Sequence, residues 1–310
     1  MHTFKFIVTL FLFSSLKALS MPTEIPKTEE EKHELANFFK EKGFIWIKDF
    51  FEEEEKQVFN HLANHMNEQA KTALKENKNQ DLPLITSEND LIVVPEVTCS
   101  LNVCRVEDML SVYPDLNSLV DKRITAFLTE LFDDPYVTYK DKLNFKSPGG
   151  GAFTAHQDFP AYQHLPPRSH ITALVHIDQA TIENGCLKVA KNWREHFSCC
   201  QELDQGMLLE GTCILPYVEG GKNHGSIQKY YSDKIEWLNL EANPKDLILI
   251  SSHVPHYSEA NSSENYRRLM LFTHNRLEEG DHRQQYYETK RSDPLNPIFH
   301  FSTPTKARGK

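Results

Sequence analysis

The chain has 310 residues, a formal net charge of −10 at pH 7 and 39% hydrophobic residues. This length and apolar content allow one large domain with a sizeable core, and they exclude a wholly disordered chain. The acidic balance and the lack of a basic segment argue against a nucleic-acid-binding protein. Because the chain contains 15 histidines, a metal site is worth seeking.

The N-terminal segment at 1–20 has the layout of a secretory signal peptide. Lys5 precedes an apolar run, and the residues ALS at 18–20 offer a small-residue cleavage pattern. The apolar run is too short to span a bilayer comfortably, and no later segment is apolar enough to do so. The alternative is a soluble cytoplasmic protein whose functional start is Met21. We favour the signal peptide, which predicts the secretory pathway, and expect a single domain at 21–300.

The spacing of the six cysteines argues against a structural zinc site, because no C-x-x-C pair occurs among them. Their even number permits disulfides, but six cysteines in 310 residues are too few for a disulfide scaffold. Buried free thiols are the simpler interpretation of Cys99, Cys104, Cys199 and Cys200.

Two helices and a short strand are predicted near the start of the domain. Residues 28–42 match a helix that Thr28 caps and Gly43 ends. The apolar run at 44–47 predicts a short buried strand, and the apolar spacing over 49–76 predicts a longer helix. The remaining predictions in this part are a loop at 77–91, a strand at 101–108 and a helix at 116–131.

From residue 136 onward the sequence favours short strands separated by Gly, Asn and Pro turns. This pattern indicates a sandwich or barrel and not a parallel α/β sheet. We therefore expect a mainly β protein, with helical support at about 28–135 and the β structure at about 136–275. The predicted strands lie at 137–146, 171–178, 187–190, 247–251 and 268–273, with turns at 148–151 and 183–185.

A candidate metal site begins at the sequence His156-Gln157-Asp158. In an extended segment, residues i and i+2 project to the same side, so the imidazole and the carboxylate would point together. They would supply two members of a 2-His-1-carboxylate triad, which leaves coordination positions open on Fe(II). A third ligand must come from a distant strand, and His253 and His256 are the candidates. A solvated turn is the alternative for the isolated His-x-Asp sequence.

Further polar residues follow the second candidate histidine. Ser258 lies two residues after His256 and would face the same way. Arg267 and Arg268 open the last apolar strand, where a guanidinium could hold a dicarboxylate through a bidentate pair. A solvated pair of arginines at the strand mouth is the alternative. His176, on the strand at 171–178, is expected to be a satisfied barrel residue and not a ligand.

This order of H-x-D, a distant H-x-S and an Arg eleven residues after that His resembles the phytanoyl-CoA dioxygenase family of Fe(II)/2-oxoglutarate oxygenases. The matching stretches are LNFKSPGGGAFTAHQD, IENGCL and PHYSEANSSENYRR. The longer segments YKDKLNFKSPGGGAFTAHQDFPAY and HITALVHIDQATIENGCL are most similar to the 2-aminoethylphosphonate dioxygenase branch. The resemblance covers roughly residues 40–291. It implies a double-stranded β-helix, or jelly-roll, of cupin-like type with N-terminal helices packed on one sheet.

The resemblance also implies a ligand set. His156, Asp158 and His256 match the family's iron ligands, whereas His253 lies three residues too early. Asp158 favours hydroxylation over halogenation, because a small residue there would open a position for a halide.

The family's 2-oxoglutarate contacts carry over to other positions. Arg267 has the spacing for holding the far carboxylate of 2-oxoglutarate, and Ser258 matches its hydrogen-bonding helper. Arg268 would point the opposite way on a strand. Lys142 and Arg105 are the further predicted contacts of the co-substrate.

The implied activity is hydroxylation by an enzyme that uses Fe(II), 2-oxoglutarate and O₂ and releases succinate and CO₂. The branch resemblance implies a small polar substrate with an anionic group, such as a phosphonate. Lys140, Lys142 and Lys146 would lie on one face of a strand and could bind it, and Arg168 is close in sequence. Solvated strand-edge charges are the alternative for these lysines. A hydroxylase of a lipid or natural product and a non-catalytic metal-binding jelly-roll remain alternative functions.

Overall fold

A computed structural model describes residues 21–77, 84–86, 90–96, 102–163, 166–196, 213–221 and 223–293, together with Asn296 and Phe299. The segment at 1–20, part of the loop at 77–91 and three of the cysteines discussed above (Cys99, Cys199 and Cys200) lie outside these ranges. Cys104 is a buried free thiol, as predicted. Within the described ranges, no helix is long and apolar enough to cross a membrane.

The strands form two antiparallel sheets. The described strands are β1 (Phe44–Ile47), β2 (Leu84–Ile85), β3 (Ile92–Pro95), β4 (Val103–Glu107), β5 (Tyr136–Lys146), β6 (Phe153–His156), β7 (Ile171–His176), β8 (Leu187–Ala190), β9 (Trp237–Leu240), β10 (Leu247–Ser251), β11 (His256–Ser258) and β12 (Arg267–Arg276). The large sheet has the order β1-β10-β7-β12-β5-β4-β3-β2, and the small sheet has the order β6-β11-β8-β9. This architecture confirms the predicted mainly β fold class.

The longer helices occur mostly before β5. The described helices are α1 (Glu29–Lys42), α2 (Glu53–Glu76), α3 (Met109–Val112), α4 (Pro114–Val120), α5 (Ala126–Phe132), α6 (Trp193–His196), α7 (Lys229–Ser232) and α8 (Arg283–Ser292). A π-helical turn at Asp121–Thr125 joins α4 to α5, so the helix predicted at 116–131 is one interrupted rod.

Alternation along β12 places its side chains in two hydrophobic cores. Met270 and Phe272 pack into the core that contains the apolar faces of α1 and α2. Leu269 and Leu271 point the other way and pack with Leu187 of the small sheet. Burying each such side chain contributes roughly 1.5–3 kcal/mol, so the two sheets are held face to face. The face of the large sheet that carries Leu269 and Leu271 is called the inner wall below.

Helix α2 begins four residues later than predicted. Asp49 has a φ of 49°, in the left-handed region, and its N–H donates to Asp246 Oδ1 at 3.1 Å. This contact holds the chain in a turn ahead of the helix. The first turn is then closed by Glu52, whose N–H donates to Glu55 Oε2 at 2.9 Å. Val58, an apolar residue within the predicted helix, is 40% exposed and lies outside the core.

Several short elements were not predicted. Strands β2 and β3 extend the large sheet within and after the predicted loop, and β6, β9 and β11 build most of the small sheet. Strands β6 and β11 have four and three residues and end or begin at a histidine, so neither shows a clear hydrophobic alternation. Helix α8 has the polar sequence RQQYYETKRS. Its three buried side chains (Tyr286, Tyr287 and Lys290) do not form a clear apolar helical pattern.

Candidate metal centre and ligand pocket

The pairing of β6 with β11 brings two histidines together. His156 lies opposite His256, with ring centroids 4.2 Å apart. Asp158 follows β6, and its Oδ1 is 3.6 Å from His156 Nε2 and 4.0 Å from His256 Nε2. The three donor atoms all lie within 4.8 Å of one another. Among the described residues, this is the one group of His, Cys, Asp or Glu side chains that converges in this way.

The Nδ1 side of each imidazole contacts the backbone carbonyl of the residue two positions earlier. His156 Nδ1 lies 2.7 Å from the carbonyl oxygen of Thr154, and His256 Nδ1 lies 3.0 Å from that of Val254. A ring nitrogen that faces a carbonyl must carry the proton and donate it, which leaves Nε2 as the free lone pair. Two such nitrogens and one carboxylate are the donor set of an open iron(II) site, so these residues fit the metal that the sequence implies.

The charge states of the triad also suit metal binding. Burial and the neighbouring ring of His156 lower the pKa of His256 to about 4, so this imidazole is neutral near pH 7. Burial alone would raise the pKa of Asp158, but its interactions with His156, His256 and Lys142 bring it well below its usual value. The site therefore presents a carboxylate and a neutral imidazole as ligands.

The residue between the first two ligands ties three segments together. Gln157 donates through Nε2 to the carbonyl oxygens of Cys213 and His253, at 2.9 and 2.6 Å, and its Oε1 accepts from the N–H of Leu215 at 2.7 Å. His253 itself stacks on Phe159 at 4.5 Å and is not part of the triad. Of the two candidate histidines, the structure thus brings His256 to the site.

The two arginines at the start of β12 point to opposite faces, as strand alternation predicts. Arg268 lies on the helical side, where Nε and Nη2 donate to the two carboxylate oxygens of Asp178 at 2.8 and 2.7 Å. Arg267 is 3% exposed on the inner-wall side, and its Nε has no hydrogen-bond partner among the described residues. Burial lowers the pKa of Arg267 to about 10, so it stays charged near pH 7. An anion is the natural partner for this guanidinium.

A lysine stands beside this arginine. Lys146 is the register partner of Arg267, and its Nζ donates to Ser258 Oγ at 2.7 Å and to the backbone oxygen of Glu259. Burial and the charge of Arg267 lower the pKa of Lys146 to about 6. Ser258 accepts from Lys146 and keeps its own O–H for donation to a ligand. Arg267, Lys146 and Ser258 are called the arginine site below.

A small cavity opens beside the metal triad. It has a volume of about 50 Å³, enough for a few water molecules, and His156 and Asp158 form part of its lining. Apart from Glu107 and Ala161, the remaining lining side chains are cationic or aromatic: Arg105, Lys140, Lys142, Phe153, Tyr162, Tyr286, Lys290 and Phe299.

The register of β5 and β12 orders the polar residues along the inner wall. Lys146 pairs with Arg267, Lys142 with Leu271, and Lys140 with Thr273. The three lysines therefore face the same way, as predicted. Lys140 lies six residues along β5 from Lys146, which corresponds to roughly 20 Å at about 3.3 Å per residue. The arginine site and Lys140 are thus at opposite ends of the wall.

Glu107 neutralises two of the cations in the cavity. Its Oε1 is 2.6 Å from Arg105 Nε, and its Oε2 accepts from Lys290 Nζ at 2.5 Å. All three side chains are at most 6% exposed. Burial opposes ionisation of Glu107, yet the charges of Lys290 and Arg105 outweigh it and lower its pKa far below the usual value. This ion triplet forms one side of the cavity.

Comparison with known proteins identifies the family of this chain. The sequence matches the family model described as phytanoyl-CoA dioxygenase (PhyH) over residues 39–269. The chain belongs to the phytanoyl-CoA dioxygenase family. This membership confirms the resemblance seen in the sequence and supports a dioxygenase.

Two proteins of similar sequence have names that refer to phosphonates. The 2-aminoethylphosphonate dioxygenase of Uncultured bacterium HF130_AEPn_1 is 33% identical over 265 residues, which are 85% of this chain and 87% of that protein. The methylphosphonate hydroxylase of Gimesia maris is 35% identical over 188 residues, which are 60% of this chain and 64% of that protein.

Solved structures of similar architecture support the fold. EctD from S. alaskensis with 2-oxoglutarate and 5-hydroxyectoine has a TM-score of 0.59 and 16% identity, covering 83% of this chain and 80% of that one. The epimerase SnoN, in complex with Fe3+, alpha ketoglutarate and nogalamycin RO, has a TM-score of 0.56 and 14% identity, covering 80% and 84%. Both likenesses are consistent with the predicted jelly-roll.

In this member of the phytanoyl-CoA dioxygenase family, the predicted site residues fall into two places. Lys142 and Arg105 line the cavity beside the triad. Arg105 is bound to Glu107, which the sequence did not indicate as its partner. Arg267 lies at the arginine site, at one end of the inner wall. Whether these residues contact 2-oxoglutarate stays a prediction.

Sequence reasoning missed other polar residues of the site. Lys290 and Tyr286 reach the cavity from α8, a helix far along the chain that was not predicted. His176 lies on the inner wall opposite Leu269, as a barrel residue, but neither ring nitrogen has a hydrogen-bond partner among the described residues. The expectation that His176 is satisfied is therefore wrong. Burial and nearby Arg267 lower its pKa to about 3, so the ring is neutral.

Proposed function

We propose that this family member uses Fe(II), 2-oxoglutarate and O₂ to hydroxylate a small phosphonate, with release of succinate and CO₂. The observation that carries the proposal is an open triad that shares a cavity with cationic side chains, together with a second cationic region at the other end of the same wall. His156, Asp158 and His256 form the triad, Arg267 lies in one cationic region and Lys140 in the other. Two anionic reactants, a co-substrate and a substrate, need two such regions.

The residues present fit both iron(II) and 2-oxoglutarate. The triad would hold the metal, and the arginine site would hold the far carboxylate of 2-oxoglutarate through Arg267, with Ser258 as a hydroxyl donor. When bound, iron and 2-oxoglutarate together supply the activation of O₂. The chain's own part is to hold these groups in a fixed geometry and to limit water through burial of His156 and His256.

The size and charge of the cavity support a small anionic substrate. The cavity is small, at about 50 Å³, and an acyl chain would need a much larger one. Four cationic side chains line the cavity, against Glu107 and the ligand Asp158. A phosphonate is anionic and compact, and the two relatives described above bear names of phosphonate-oxidising enzymes. A lipid hydroxylase would call for a wider and more apolar entrance.

A non-catalytic metal-binding role is less consistent with the triad. Structural metal sites in proteins usually close their coordination shell with protein ligands. Here three donors converge next to a cavity, and no fourth His, Cys, Asp or Glu of the described residues joins them. Positions open to ligands are what an oxygen-activating iron site requires.

The proposal is tested by succinate release from 2-oxoglutarate in anaerobically purified protein supplied with Fe(II) and then with O₂. We expect methylphosphonate or 2-aminoethylphosphonate to stimulate succinate formation, and mass spectrometry to find the phosphonate heavier by one oxygen atom. Stimulation by an acyl thioester alone would retain the oxygenase class and overturn the phosphonate substrate. No 2-oxoglutarate turnover with any compound would overturn the enzymatic function.

A further inference from the structure

We propose that Lys140, set against the rings of Tyr162 and Tyr286, is the residue that binds the anionic phosphonate group of the substrate. This inference rests on the proposed function and names the part of the cavity that recognises the substrate. It assigns to Lys140 a role in specificity that is separate from 2-oxoglutarate binding.

The first support is that Lys140 has no counter-ion. Its Nζ lies 4.4 Å from the ring centroid of Tyr162 and 5.7 Å from that of Tyr286, and it forms no hydrogen bond or ion pair with any described residue. The two rings shield the ammonium from water and provide only weak attraction through their faces. A partly buried ammonium in such surroundings gains most from an incoming anion.

The second support is that two of the other three cations in the cavity lining already have a carboxylate partner. Arg105 and Lys290 both bind Glu107, at 2.6 and 2.5 Å. Lys142 and Lys140 both feel the charges of Asp158 and Glu107, and neither ammonium forms an ion pair with a described carboxylate. Lys142 lies two residues nearer to the arginine site on the same strand face, so Lys140 is the unpaired lysine of the described lining that is farther along β5 from that site.

The third support is distance from the arginine site. Lys140 pairs with Thr273, whereas Lys146 pairs with Arg267, and the six residues between them on β5 span roughly 20 Å. A 2-oxoglutarate that binds the triad and extends toward Arg267 would run along the wall away from the Lys140 end. Lys140 would then be available for a second anion in the cavity beside the triad.

The electrostatics of the site favour a doubly charged group. Burial and the positive charge of Lys142 lower the pKa of Lys140 well below its usual value, which shows how poorly this ammonium is compensated. A phosphonate dianion brings two negative charges and three acceptor oxygens, so it can compensate Lys140 and still contact a neighbouring donor. The group attached to phosphorus would then lie toward His156 and Asp158, which line the same cavity.

The test measures binding and turnover in the protein loaded with Fe(II) and 2-oxoglutarate. Anaerobic calorimetric titration with methylphosphonate should show at least tenfold weaker binding for Lys140→Met, with partial recovery in Lys140→Arg. The affinity for 2-oxoglutarate, titrated separately, should change less than twofold. Lys191→Met is the matched control, because its ammonium forms an exposed ion pair with Glu236 outside the cavity.

A pair of similar ligands that differ by one charge separates charge recognition from simple loss of packing. Wild-type protein should bind methylphosphonate more tightly than its monomethyl ester, which carries one negative charge less. In Lys140→Met the ratio of the two affinities should fall at least fivefold. If Lys140 had a merely structural role, the substitution would weaken the binding of both ligands equally. Equal weakening, or unchanged binding of methylphosphonate, would overturn the role of Lys140. If wild-type protein bound neither methylphosphonate nor 2-aminoethylphosphonate, the proposed function itself would be wrong.

Discussion

His156 and His256 lie opposite each other on paired strands, and each ring contacts the carbonyl oxygen of the residue two positions earlier in its own chain segment. The two imidazole rings are therefore oriented by the same kind of contact, which involves a backbone carbonyl and no other side chain. This relationship keeps both Nε2 atoms directed at Asp158.

The first prediction concerns the triad. The substitutions His156→Ala, Asp158→Ala and His256→Ala should each abolish stoichiometric Fe(II) binding, because a three-ligand site cannot lose one donor and keep both affinity and geometry. Iron content per folded protein, with circular dichroism to verify folding, provides the measurement. His253→Ala is the control and should retain iron, since His253 stacks on Phe159 away from the triad. Loss of iron in His253→Ala alone would show that the distal ligand is misassigned.

The second prediction separates the two arginines. Arg267→Ala should make the binding free energy of 2-oxoglutarate less favourable by on the order of 2–5 kcal/mol. The substitution removes one partner of a buried charge-assisted pair. Arg268→Ala should leave 2-oxoglutarate binding nearly unchanged and instead lower the free energy of unfolding, since it breaks the bidentate contact with Asp178. Calorimetric titration and urea denaturation of both variants measure the two effects. Similar losses of 2-oxoglutarate affinity in both would contradict the opposite orientation.

The third prediction concerns the ion triplet in the cavity. Glu107→Gln should destabilise the protein by roughly 3–5 kcal/mol, because Arg105 and Lys290 then remain buried without a full counter-charge. Urea denaturation gives the free energy of unfolding. Glu236→Gln is the matched control and should change it by less than about 1 kcal/mol, since its pair with Lys191 is exposed. A Glu107→Gln variant as stable as the control would mean that the triplet contributes little to stability.

The fourth prediction is the pH dependence of this stability. The pKa of Glu107 in the folded protein is far below its ordinary value of 4.5, so the unfolded chain takes up a proton first as the pH falls. The stabilisation by Glu107 is therefore complete above about pH 4.5 and decreases below it. The free energy of unfolding should fall more steeply between pH 4.5 and pH 3 in wild-type protein than in Glu107→Gln. Parallel slopes would contradict the lowered pKa.

Much of the site could be predicted because its residues follow simple spacing rules. The i and i+2 positions of His156 and Asp158, and the alternation that separates Arg267 from Arg268, depend only on extended backbone geometry. The distal ligand was less certain from the residues alone, since His253 and His256 end the same apolar run. The family resemblance selected His256, and the pairing of β6 with β11 brings that residue to the triad.

The parts that could not be predicted depend on contacts between distant segments. Lys290 and Tyr286 come from a polar helix whose three buried side chains give a weak periodic signal. The bond between Lys146 and Ser258 joins residues 112 positions apart, and nothing in either local sequence encodes it. The late start of α2 likewise depends on Asp49 meeting Asp246, far along the chain. Local pattern predicts which way a side chain points, but not which partner it meets.

The measurement that tests the central claim most directly is turnover under oxygen-18 gas. With Fe(II), 2-oxoglutarate and methylphosphonate, wild-type protein should produce succinate that carries one oxygen-18 atom and a phosphonate that has gained one oxygen. Asp158→Ala should produce neither, because its triad is incomplete. Succinate without label, or labelled succinate formed while every phosphonate offered remains unchanged, would contradict iron- and 2-oxoglutarate-dependent hydroxylation of a phosphonate.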